Sequence, residues 1–87
     1  MDETSLTYLR VAQDYLADNQ PLVPRPGNGL EKAWFTLDGD KVQPTWEHAK
    51  ELYEQFKSKD DSMGLLTARR RLAFIYQRAN ELEIDLA

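Results

Sequence analysis

The sequence predicts a mostly α-helical, single small domain, and three observations carry that expectation. Apolar residues recur at three- and four-residue steps over three long stretches, most Gly and Pro lie between those stretches, and 41% hydrophobic against 30% charged residues is a globular balance. A chain of 87 residues builds one small core and not two, so residues 1–87 are expected to form one domain.

The first amphipathic helix is expected over about residues 4–19. Leu6, Tyr8, Leu9, Val11, Ala12, Tyr15 and Leu16 gather on one side of a helical wheel, Asp2, Thr4 or Ser5 supplies a cap, and Asn19-Gln20-Pro21 ends it. Between Asn19 and Gly29 three prolines and two glycines interrupt regular hydrogen bonding. That stretch reads as a proline-rich connector that wraps the helices with Leu22 and Val23 tucked inward. Its P-x-x-P core, Pro21 to Pro24, is a common accident rather than a docking ligand.

Residues 30–43 admit two readings. A short β-hairpin would pair Trp34-Phe35-Thr36-Leu37 with Lys41-Val42-Gln43 across an Asp38-Gly39-Asp40 turn. A short helix would take Asn28 as its cap, Leu30, Ala33, Trp34 and Leu37 as its apolar face and Gly39 as its stop. The hairpin is preferred because residues 34–37 are mostly aromatic and β-branched, a preference worth at most about 1 kcal/mol.

The second amphipathic helix is expected over about 45–57, capped by Thr45 behind Pro44, with Trp46, Ala49, Leu52, Tyr53 and Phe56 on its inner stripe. Glu47, Lys50, Glu51, Glu54 and Lys57 form a solvated face with Glu47–Lys50 and Glu54–Lys57 spaced to pair. The polar run Ser58 to Ser62 offers a loop and a cap. The third helix, about 62–82, carries Leu65, Ala68, Leu72, Ile75, Ala79 and Leu82 at the a/d spacing of close helix packing, and Ile84 and Leu86 follow in a tail that frays or folds back.

Composition excludes several kinds of chemistry. There is no cysteine and one histidine, which removes disulfides, thiolate catalysis and Cys/His zinc sites. His48 lies at the edge of an apolar stripe with no serine or acid placed to complete a catalytic set, and the clustered acids read as caps and solvated faces. Asp38-Gly39-Asp40 lacks the later glycine and glutamate of a calcium loop, and Gly27-Asn28-Gly29 lacks the lysine of a phosphate loop. An enzyme is therefore not expected, nor is a cofactor or a metal. No apolar run approaches a membrane span, and the acidic start lacks the basic region of a signal peptide, which points to a cytoplasmic protein with no membrane contact.

The most informative departure from a plain pattern lies on the third helix. With its a/d residues facing inward, Met63, Thr67, Arg70, Arg71, Phe74 and Arg78 form a second stripe on the opposite side. A phenylalanine among arginines needs cover, since full burial of its ring is worth about 1.5–3 kcal/mol. Either Trp34, Phe35 or Leu37 roofs it, or it anchors a partner while the arginines pair with that partner's acids. The functional expectation is a small non-enzymatic binding protein, a regulator, inhibitor or adaptor of the size class that includes phage-encoded anti-host proteins. Its partner is another protein of unstated identity, and a homodimer through a parallel Arg78–Glu83 pairing is a further option. The alternative is a dimeric nucleic-acid-binding regulator using Arg69, Arg70, Arg71 and Arg78. Residues 63–87 carry four basic and three acidic side chains on a chain of net charge -4, which is thin for a phosphate backbone.

Overall fold

A computed structural model describes residues 3–87 and contains four helices: α1 (Glu3–Asp18), α2 (Gly29–Phe35), α3 (Gly39–Ser58) and α4 (Ser62–Glu81). No strand occurs among the described residues. The mostly helical class agrees with the sequence, while the count of three helices and the preferred hairpin do not. The expected cap at Asp2 lies outside the described residues. Thr4 and Ser5 fall inside α1, so neither is its cap.

Residues 30–35 are helical, not a strand, because the ends of α2 are well provided for and its aromatic residues find an inward face. The Asn28 side chain accepts a hydrogen bond from the Glu31 N–H at 3.0 Å, satisfying one of the free donors that every helix start presents. The Thr36 N–H closes the other end on the Lys32 carbonyl. The helical alternative placed the Asn28 cap and the inward Trp34 correctly and the rest of the face in part: Glu31 points inward, whereas Leu30 and Ala33 lie outside.

Asp38, expected in a hairpin turn, takes the extended conformation of a cap residue, and α3 starts at Gly39, six residues before the predicted start at Thr45. Pro44 sits inside this helix although it lacks an N–H for the ladder. Continuing the helix through it aligns Val42 with Trp46, Ala49 and Tyr53 at steps of four, three and four, and all four are buried. The tertiary gain from that stripe outweighs a local preference for starting after the proline. α4 begins as expected, with Asp61 accepting from the Gly64 N–H at 3.0 Å.

Helix α4 is central. It packs against α1, α2 and α3, and the consecutive residues Leu72, Ala73, Phe74 and Ile75 are all buried, so its apolar surface runs around the helix rather than along one stripe. The small residues Ala68, Ala73 and Ala79 allow close approach by its neighbours. Of the a/d residues of this helix, Ala68, Leu72, Ile75 and Ala79 are buried within the chain, Leu65 is half-buried and Leu82 is exposed. Leu22 from the connector joins the core, while Val23, expected inside, is exposed. At the end of the chain Leu86 is buried and Gln43 exchanges hydrogen bonds with the Ala87 backbone, so the tail folds back onto α3.

Candidate functional site

Phe74, the centre of the predicted contact stripe, is 0% exposed. Trp34 and Phe35 of α2 cover it, with ring centroids at 6.0 and 6.5 Å in tilted and edge-on arrangements that suit aromatic quadrupoles. Phe74 as a surface anchor is therefore corrected: it is a core residue, roofed by the middle segment.

The arginines around it divide into engaged and unengaged groups. Arg70 donates from Nε to Glu31 Oε2 at 2.8 Å and from Nη2 to Glu31 Oε1 at 3.0 Å, a bidentate pair in which both side chains are mostly buried. It also reaches the Tyr15 hydroxyl and the Val23 carbonyl, and its guanidinium lies 5.0 Å from the Phe74 ring centre. Glu31 accepts further from the Arg25 backbone N–H at 2.9 Å. Hydrogen bonding from Arg70, reinforced by that N–H and opposed by burial, holds the Glu31 carboxyl below the usual range; the same pair pushes Arg70 above its own. Arg78 donates from Nε to the Leu37 carbonyl at 2.8 Å and from Nη1 to Glu81 at 3.2 Å, securing the α2–α3 link. Arg70 and Arg78 thus serve the fold, and two of the four arginines proposed for nucleic acid are held internally.

Arg71 differs. Its guanidinium lies over the Trp34 ring, 4.8 Å from the centre, and its Nε is buried without an acceptor. Among the described residues no carboxylate pairs with it, and burial pulls it below the ordinary arginine range. A buried donor left unmatched costs roughly 1–3 kcal/mol and is rare in folded proteins.

Arg71 lines a cleft of about 350 Å³ between α2 and the first turns of α4. Met63, Thr67, Arg70 and Arg71, four of the predicted contact residues, come together there; Phe74 lies below and Arg78 elsewhere. The rim is apolar: Met63 is 82% exposed, Leu66 56% and Leu30 55%. Asp61 caps α4 and Asn28 caps α2, and side chains from the first turns of both helices line the cleft.

Leu30, Leu66 and Glu31 were missed as site residues. Leu30 was assigned to the inner face of a possible helix, and Leu66 belonged to neither stripe of the third helix. Glu31 had one local signal, an acid three residues after Asn28, but nothing along the chain connects it to Arg70, 39 positions later. The chain matches no protein-family model, no curated protein and no solved structure.

Proposed function

We propose that this protein is a non-enzymatic binding module that engages another protein through the rim of the α2–α4 cleft, acting as a regulator, inhibitor or adaptor. The observation that carries the reading is the grouping of Leu30, Met63 and Leu66, three large apolar side chains each more than half exposed, around one concavity. Single exposed hydrophobics are ordinary, whereas a contiguous set around a cleft marks a contact surface. Methionine suits such a rim because its unbranched chain adapts to the shape of what it meets. The absence of cysteine is consistent with a cytoplasmic setting.

Selection of short random peptides displayed against the immobilised protein tests this reading, with the Met63→Ser/Leu66→Ser double variant in parallel. Enriched peptides are expected to bind the native protein and to lose binding to the variant. Peptides that bind both equally, or no enrichment at all, overturn the rim as a contact surface. Sedimentation equilibrium checks the occupant: a native dimer that the double variant turns into a folded monomer would make the partner a second copy of the chain.

A further inference from the structure

Resting on the rim's role as a contact surface, we propose that Arg71 is the specificity-determining residue of the cleft and receives a carboxylate side chain of the partner protein, set beside a large apolar residue that seats against Leu30, Met63 and Leu66. The charge at the cleft supports this ligand. Arg25, Arg70 and Arg71 line it against the single carboxylate of Glu31, an excess of positive charge on a chain whose net charge is -4. Glu31 holds Arg70 and also lies 3.9 Å from Nε of Arg25, so the guanidinium left unmatched is that of Arg71. An anionic segment approaching the molecule is repelled by most of the surface and attracted here, which favours one docking position.

Geometry favours a carboxylate in particular. Trp34 occupies one face of the Arg71 guanidinium, which holds the group in place, and with Nε buried the in-plane N–H groups of the two Nη atoms are left as the means of recognition. Planar forks of this kind match the two oxygens of a carboxylate, and a preset fork loses less freedom on binding than a free side chain. A nucleic-acid backbone also offers anionic oxygens, but it has nothing to place on Leu30, Met63 and Leu66. A protein segment with an acidic residue next to Leu, Ile, Phe or Met fills both requirements at once.

The test uses peptides enriched on the native protein by the selection described above. They are expected to carry Asp or Glu adjacent to a large apolar residue. Changing that Asp or Glu to Asn or Gln in the peptide is expected to weaken binding at least about tenfold, the discrimination expected when a charged pair is replaced by a neutral one. The peptide-side change leaves the protein intact, so the result does not depend on whether Arg71→Gln folds. Where circular dichroism shows that variant folded, it is expected to bind acidic and amide peptides alike. Rim-dependent peptides without an acid, or with equal affinity after its neutralisation, would overturn the role of Arg71 while leaving the rim as the contact surface. Peptides that ignore the Met63→Ser/Leu66→Ser change would overturn both.

Discussion

Replacing Phe74 by alanine separates a core residue from a contact residue, and the structure sets the size of the effect. The ring is fully buried against Trp34, Phe35 and the Arg70 guanidinium. Returning its apolar surface to water in the reference process, at about 25 cal/mol per Å², accounts for roughly 2–3 kcal/mol. The void left between α2 and α4 adds to that, because the surrounding aromatic rings relax only in part, and the total expected is about 3–5 kcal/mol. A chain of 87 residues has about 4–13 kcal/mol of stability to begin with, so the variant is expected to be marginal. Equilibrium urea unfolding, followed by far-UV circular dichroism and by fluorescence of Trp34 and Trp46, measures the loss as a lower midpoint at constant slope. A loss below about 1 kcal/mol would refute the placement of Phe74 beneath α2 and return it to the surface.

Four further outcomes follow from the same contacts. Glu31→Gln removes the carboxylate from a mostly buried pair and is expected to cost about 3–5 kcal/mol at pH 7. Because Arg70 lowers the Glu31 pKa on folding, the pair's stability is present above the ordinary glutamate range and is lost as pH falls through the lowered value; acid unfolding curves of native protein and variant are expected to converge there. Tyr8, whose pKa burial and a hydrogen bond donated to Glu54 push up to about 12, contributes stability that is full below about pH 10 and lost as pH rises through that interval. Absorbance titration is expected to show a late-ionising tyrosine that Tyr8→Phe removes. Gly64→Ala is expected to destabilise despite alanine's better helix propensity, since the added methyl would sit 2.7 Å from Phe56 Cγ; the penalty, of about 1–3 kcal/mol by thermal unfolding, is expected to shrink in a Phe56→Leu background. Leu66→Ser, by contrast, changes an exposed side chain and is expected to alter stability by no more than about 0.5 kcal/mol while abolishing peptide capture.

Periodicity alone carried the mostly helical class, because an apolar stripe repeated at three- and four-residue steps declares itself over many turns; it set neither the number of helices nor the start of α3. A cap within the polar run Ser58 to Ser62 and the Glu47–Lys50 pair, at 3.0 Å, were legible because both are interactions between residues three apart, although which residue of the run caps α4, Asp61, was not. Short elements depend on what they pack against. The α2 segment carries residues of β preference, yet Trp34 and Phe35 are more stable laid on Phe74 than paired across a hairpin, and the start of α3 moved past Pro44 so that Val42 could reach the core. The stripe around Phe74 was correctly identified as unusual, but periodicity cannot distinguish a side chain covered by its own chain from one awaiting a partner. Tertiary structure made that division: it buried Phe74, tied Arg70 to Glu31 and Arg78 to Leu37, and left Arg71 unmatched beside Leu30, Met63 and Leu66. The physical reason is range. Helical pattern is written between residues three and four apart, whereas the cleft exists only because residues some 40 positions apart in the chain are brought to within hydrogen-bonding distance.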